Sequence, residues 1–212
     1  MQIMYKRFFK RFIDLALSAI GIAVLALPML IVAIVLKIDS PGPVFFKQKR
    51  IGIHKTYFNI LKFRSMPVTT PKDVPTADLR SVKVELSPFQ NFIRKSSVDE
   101  LPQLFNIFMG QMSVVGPRPA LWNQDELIAL RDKYGANDVK PGLTGWAQIN
   151  GRDDLGDEIK AKFDGEYVEK QSFLFDCKCF FGTILPVLRG KGVDDAGVVE
   201  SADAEKTEEI KK

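Results

Sequence analysis

Residues 15–36 read LALSAIGIAVLALPMLIVAIVL, 22 positions from Leu15 to Leu36 without a charged side chain. At about 1.5 Å of rise per residue the run makes roughly 33 Å of helix, enough to cross the apolar core of a bilayer. A secretory leader matches poorly, because the run is too long and no small-residue cleavage site follows it. A helix that is apolar all round also belongs in lipid or in a large core rather than in a small soluble domain. The stretch therefore predicts a membrane helix over about residues 12–38.

The flanks bear on whether that helix spans or dips. Lys6, Arg7, Lys10 and Arg11 precede it, and Lys37, Lys47, Lys49 and Arg50 follow it. Orientation by positive charge needs an imbalance, and here both ends favour the cytoplasmic side. Pro28 lies near the middle, where it removes a helical hydrogen bond and crowds the preceding turn. A helix broken at Pro28 with two basic ends can enter one leaflet and return. A kinked spanning helix is the alternative, and the residues alone leave both standing.

The remaining composition narrows the partners. The 212 residues carry a net charge of +4, but residues 1–66 hold eleven Lys/Arg against Asp14 and Asp39. Basic charge so close to the apolar run favours an anionic membrane surface and phosphate-bearing ligands. No recognition-helix pattern or other nucleic-acid module is present. Residues 193–212 hold seven acids, three lysines and little apolar surface, and are expected to be a disordered polar tail. Cys177 and Cys179 stand two apart in a helical pattern with one histidine in the chain, which argues against zinc and for a reducing compartment. His54 falls in the turn Gly52-Ile53-His54-Lys55 and reads as solvated.

Beyond the stop Ser40-Pro41-Gly42-Pro43, Val44–Phe46 and Thr56–Leu61 flank that turn as a β-hairpin. Ser87-Pro88 opens a helix through Arg94. Leu101, Leu104, Phe105, Phe108, Met109 and Met112 recur at helical spacing, and Asn123 with Glu126 marks a further helix start that should stop at Gly135. Ile159, Phe163 and Tyr167 mark another helix, and a last one runs from Ser172 to about Leu188. The expected class is α+β, mainly α with a small β-hairpin, in one domain of residues 1–192 whose catalytic part is 39–192. Its Phe- and Leu-rich helices form the core of a small helical domain or lie partly in the membrane interface.

The densest chemistry is Arg94-Lys95-Ser96-Ser97-Val98-Asp99-Glu100-Leu101-Pro102-Gln103. Ser97 and Glu100 fit a capping box, which would make the acids a solvated helix start. Pro102 argues otherwise, because it disfavours helical geometry at Leu101 and prefers the first helical position itself. Asp99 and Glu100 would then precede a helix N-terminus, where they could hold a metal and a diphosphate with Arg94 and Lys95. Gly116-Pro117-Arg118-Pro119 would fix a guanidinium for bidentate phosphate binding. Pro141-Gly142-Leu143-Thr144-Gly145, continuing through Gln148 to Gly151-Arg152, would let backbone approach a phosphate closely.

Lys10-Arg11-Phe12-Ile13-Asp14, Leu61-Lys62-Phe63-Arg64-Ser65-Met66, Ser97 through Leu104, Met112 through Pro119 and Pro141 through Arg152 together resemble one family. It is that of the bacterial sugar transferases, the monotopic phosphoglycosyl transferases, and the likeness runs in order over about residues 5–190. The resemblance is to a minimal member, without the multispanning N-terminal region of the large ones. It implies that Asp99 is the nucleophile that attacks the β-phosphorus of a UDP-sugar, releases UMP and carries a phosphosugar. Undecaprenyl phosphate, or another polyprenyl phosphate, would then take that group. The resemblance makes Glu100 the partner acid, with Asp99 and Glu100 near Mg²⁺. It puts Arg94, Arg118 and Arg152 on phosphate or nucleotide positions, with Arg64 and Gln148 in the same substrate-binding set. It makes the apolar run a re-entrant helix anchored in one leaflet through Lys10, Arg11, Asp14 and Pro28, on the cytoplasmic face of the bacterial inner membrane. Self-association is compatible with it. The family often has Ser-Pro at the bend, where this chain has Leu27-Pro28. A scaffold of the same fold without activity is the competing reading, separated by assaying UMP release.

Overall fold

The computed structural model describes residues 4–74, 84–151, 155–188 and 198–200. A π-helical turn, Tyr5–Phe9, leads into α1, Lys10–Asp39. α1 is one helix with Pro28 inside it, so the break expected there is absent. Proline removes the one bond its own nitrogen would make, and packing of Leu25, Met29 and Val32 against Phe63 and Ile93 supports the turns around it.

One face of α1 is bound to the rest of the chain along its whole length. Lys10, Asp14, Ser18, Met29 and Leu36 are buried, and Gly21, Leu25 and Val32 fill the same face at helical steps. A Cβ on Gly21 would come within 3.1 Å of the Leu104 side chain. The other face exposes Phe12, Ile20, Val24, Leu27, Ile31 and Ile34. At the first turns, Lys10 Nζ lies 2.5 Å from Asp176 Oδ2, and Arg11 donates to the carbonyls of Ile107 and Phe108 at 2.7 and 2.8 Å. Asp14 Oδ1 accepts from the Ser113 hydroxyl at 3.0 Å and the Val114 N–H at 2.9 Å. At the far end, Arg64 donates to the carbonyls of Ser40 and Pro41 at 2.8 and 2.6 Å, and the Ser87 hydroxyl donates to Asp39 at 2.6 Å. Lys10, Arg11 and Asp14 thus fasten the helix to the folded domain.

The hairpin forms as expected. β1 (Phe45–Ile51) and β2 (Tyr57–Phe63) pair antiparallel around a short turn in which exposed His54 has φ +53° and Nδ1 3.0 Å from Asp138. There follow β3 (Val84–Leu86), α2 (Pro88–Lys95), a 3₁₀ turn (Val98–Glu100), α3 (Gln103–Phe108) and β4 (Ser113–Val115). Next come α4 (Asp125–Asp132), β5 (Gly142–Thr144), α5 (Trp146–Ile149), α6 (Asp157–Lys170), α7 (Phe173–Leu188) and β6 (Val198–Glu200). Besides the hairpin, β4 pairs in parallel with β5 and β3 with β6, so the mainly helical fold carries more strand than the sequence announces. Of residues 193–212, Val198–Glu200 is paired, and the others lie outside the described residues.

α4 departs from its expected bounds. It starts after Gln124, which makes no side-chain capping bond, while Asn123, the expected cap, donates to the Asp73 carbonyl at 3.0 Å. It ends at Asp132, before Gly135, which turns the chain at φ +65°. The core beneath gathers Phe58, Ile60, Ile107, Met112, Tyr167 and Cys179, and Cys177 and Cys179 are both free.

A buried ion pair joins α4 to α6, with Arg131 Nη2 2.6 Å from Asp164 Oδ2. Removing one partner strands the other charge inside the protein. Asp164→Ala should therefore cost roughly 3–5 kcal/mol, read as a large fall in thermal midpoint of the detergent-solubilised protein.

Candidate active site

Three pieces of chain converge beside the exit of α1. The hairpin brings the first: Phe45 stacks on its partner Phe63 with centroids 5.5 Å apart, and the strand places Lys62, Arg64 and Ser65 in order. The second is α2, started by a capping box in which Ser87 accepts from the Gln90 N–H and Gln90 accepts from the Ser87 N–H. Its last turn carries Arg94. Ser97 then takes φ +57°, an uncommon conformation for a residue with a Cβ. It makes no capping bond, so the Ser97–Glu100 capping box is not formed. Leu101 keeps helical angles ahead of Pro102, contrary to the steric expectation, held by its N–H bond to the Val98 carbonyl at 3.2 Å.

The left-handed residue turns the acids inward. Asp99 is 7% exposed and its Oδ2 accepts from the Ser65 hydroxyl at 3.1 Å. Glu100 Oε1 accepts from Lys62 Nζ at 2.7 Å and Arg118 Nη2 at 3.4 Å. Burial pushes the Asp99 carboxyl up to about 6; the charges of Lys62 and Arg94 and the Ser65 hydroxyl oppose that rise, and Glu100 adds to it. Asp99 lies on the wall of a cavity of about 410 Å³ between β1, the end of β2 and the loop 67–74, shared with Lys62, Ser65 and Arg94.

The third piece is the β4–β5 pair, which sets Arg118. Gly116 N–H donates to the Thr144 carbonyl and Gly142 N–H to the Pro117 carbonyl, both at 2.8 Å. A Cβ on Gly145 would lie 2.1 Å from the Gly116 carbonyl oxygen. These glycines were expected to admit a phosphate; they admit a neighbouring backbone instead. Arg118 follows at once and reaches Glu100.

The structure thus unites Asp99, Glu100, Arg94 and Arg118. Arg64 lines the cavity, but both its Nη atoms are given to the carbonyls at the end of α1, packed under Gly42 at φ +123°. Gln148 is absent from the cavity wall and donates to the Leu143 carbonyl at 3.0 Å. Arg152 lies outside the described residues. Lys62 and Ser65 touch the two acids as well, although the sequence alone marks them no more than their neighbours. The signal was there: the strand that positions one residue of Lys62-Phe63-Arg64-Ser65 positions them all.

A family model for bacterial sugar transferases matches residues 5–190. This chain belongs to the bacterial sugar transferase family. Its relatives include an uncharacterized sugar transferase, EpsL, of Bacillus subtilis, 39% identical over 191 residues covering 90% of this chain and 92% of EpsL. The undecaprenyl-phosphate glucose phosphotransferase of Komagataeibacter xylinus is 40% identical over 82% of this chain. The UDP-glucose:undecaprenyl-phosphate glucose-1-phosphate transferase of Escherichia coli is 39% identical over 84% of this chain. The chain spans only 35% and 40% of the length of those two proteins.

A sugar transferase with this site should show an aspartate that titrates high. The Asp99 carboxyl, followed by ¹³C NMR against Asp99→Asn as the blank, should titrate near 6. Lys62→Met removes a favourable charge and should move it higher; Glu100→Gln should move it lower. Since the folded value exceeds that of a free aspartate, Asp99 stabilises the fold below about pH 4, and that contribution disappears as pH rises through about 6.

Proposed function

We propose that this chain transfers a sugar-1-phosphate from a UDP-sugar to a polyprenyl phosphate such as undecaprenyl phosphate, releasing UMP. The observation that carries this reading is Asp99, buried on a cavity wall with cationic side chains beside it and a hydroxyl on one oxygen. That arrangement suits a carboxylate nucleophile at phosphorus: ionised above about pH 6, oriented, and screened from the anion it attacks. The names of the relatives from K. xylinus and E. coli support the two substrates.

In the proposed sequence an Asp99 oxygen attacks the β-phosphorus of the UDP-sugar. The bond from that phosphorus to the bridging oxygen breaks, and UMP departs with the electron pair. The phosphosugar remains on Asp99 as an acyl phosphate. An oxygen of the lipid phosphate then attacks the same phosphorus, the bond to Asp99 breaks, and the carboxylate is restored. Arg118 and Lys62, gathered on Glu100, supply positive charge where the diphosphate negative charge grows. Ser65 orients the nucleophile through its hydrogen bond.

Mg²⁺ is the cofactor of this reading. Asp99 and Glu100 are hard oxygen donors, and among the described residues no cluster of three or more His, Cys, Asp or Glu forms a fuller cage. Two carboxylates suit Mg²⁺, which keeps several waters and shares its substrate's phosphate oxygens. When bound it offsets diphosphate charge.

The same reading places α1 in one leaflet of the bacterial inner membrane, on the cytoplasmic face. Fastening of both helix ends to one domain supports it, since a 30-residue helix is about 45 Å long and cannot cross a bilayer with both ends on one side. The exposed face from Phe12 to Ile34 supplies apolar surface for lipid.

Two experiments test these readings. Asp99→Asn keeps shape and removes charge, so turnover should fall at least ~10³-fold, about 4 kcal/mol of barrier, without unfolding. With UDP-sugar and no lipid, the parent chain should gain the mass of one phosphosugar and Asp99→Asn should gain none; wild-type turnover by Asp99→Asn would refute the mechanism. Single cysteines placed at Met4 and Ile38, with Cys177 and Cys179 replaced by Ala, should both resist an impermeant thiol reagent in intact cells. Labelling of one of them from outside would sink the one-leaflet placement.

A further inference from the structure

The cavity wall carries more positive charge than the proposed donor reaction uses. Arg64 is given to the carbonyls of Ser40 and Pro41, Lys62 to Glu100, and Arg50 to Gln48 and the Pro119 carbonyl. Lys47 on β1 and Lys72 in the loop 67–74 line the same cavity, are exposed, and make no side-chain hydrogen bond or ion pair among the described residues. The pairing of these walls is built: Gln48, buried and next to Lys47, donates from Nε2 to the Lys72 carbonyl, while its Oε1 is held by Arg50 at 2.5 Å. A buried amide therefore brings the segments bearing the two ammonium groups to one opening.

The opening has a direction. Pro43, just beyond the end of α1, lines it together with the apolar side chains of Phe45 and Val68. Arg118 is not on its wall; it reaches the cavity only through Glu100 Oε1, which it shares with the wall residue Lys62. Two phosphate-bearing substrates visit Asp99 in the proposed reaction, and one of them arrives from the lipid phase. A cavity that begins where the apolar helix ends, with apolar walls and two cations unpaired among the described residues, suits that substrate. We propose that Lys47 and Lys72 hold the phosphate of the lipid acceptor, forming a phosphoryl subsite distinct from the one around Arg118. This rests on the transfer reaction proposed above and assigns one of its substrates to this cavity.

The test uses the full chain in lipid nanodiscs with two separate measurements. The first is retention of a short-chain polyprenyl phosphate, farnesyl phosphate, by native mass spectrometry, which needs no donor and no turnover. The second is mass gain from UDP-sugar without lipid acceptor. Since both side chains are exposed, Lys47→Ala and Lys72→Ala should fold normally. Each should weaken farnesyl phosphate about tenfold, and the pair about 100-fold, as expected for loss of one charge-assisted contact each. Lys47→Arg and Lys72→Arg should restore most of it. Donor mass gain should stay within about threefold of the parent. Unchanged retention in the double variant would overturn the subsite. So would loss of donor mass gain with retention intact, which would assign the lysines to the nucleotide. If the parent chain itself gains no mass from UDP-sugar, the transfer reading fails on that measurement alone, while retention still decides the lysines.

Discussion

Arg64 and Ser65 are adjacent in the chain and point their hydrogen bonds at two different problems. Arg64 donates to the carbonyls of Ser40 and Pro41, which the end of α1 leaves without helical partners. Ser65 donates to Asp99. Because the two residues share a backbone, the end of the apolar helix and the position of the acid cannot vary independently. The other end of α1 repeats the device: Asp14 accepts from Ser113 and Val114 at the start of the segment that leads to Arg118. The helix thus grips the strand before Arg118 at one end and the strand before Ser65 at the other. The site is assembled between those grips.

Electrostatics decide whether such a site can work. Desolvation of Asp99 and the nearness of Glu100 both disfavour its ionised form, while Lys62, Arg94 and Ser65 favour it. The balance leaves a carboxyl that ionises near 6, high for an aspartate but below neutrality. A lower value would make a poorer nucleophile, and a higher one would leave too little of it charged. Glu100 has a double part here. It raises Asp99, and it also holds Lys62 and Arg118, whose charge is thereby gathered beside the acids.

Local signals in the sequence were read well, and long-range ones poorly, for a physical reason. The hairpin and the Ser87-Pro88 helix start depend on alternation and capping, which neighbouring residues settle among themselves. The acidic pair is a different case: its spacing also fits a solvated helix start, and the resemblance alone gives it a role. Which face of α1 is buried was not legible, since Met29 and Leu36 on the inner face are no more apolar than Leu27 and Ile34 on the outer one. Lys10, Asp14 and Ser18 mark it by their polarity, and the resemblance names Lys10 and Asp14 among the anchoring residues without saying which face they take. The resemblance puts Arg64 in the substrate-binding set, and a guanidinium suits either a phosphate or a pair of carbonyls. Gly42, whose positive φ leaves room beneath it, lets the guanidinium reach the Ser40 and Pro41 carbonyls, and that approach joins positions 22 residues apart.

The glycines of the two late motifs teach the same lesson with a functional consequence. Gly116, Gly142 and Gly145 let two backbones approach so closely that a side chain on any of them would collide with main-chain atoms. A main-chain clash cannot be relieved by a rotamer change, so substitution must push β4 and β5 apart. Arg118 lies two residues after Gly116 and meets Glu100 at 3.4 Å, a distance with little slack. A displacement of about 1 Å there would break that contact while leaving Asp99, held from Ser65 and α2, where it is. Packing far from Asp99 therefore sets the charge beside Glu100, and the requirement for glycine at these positions comes from the arginine they aim.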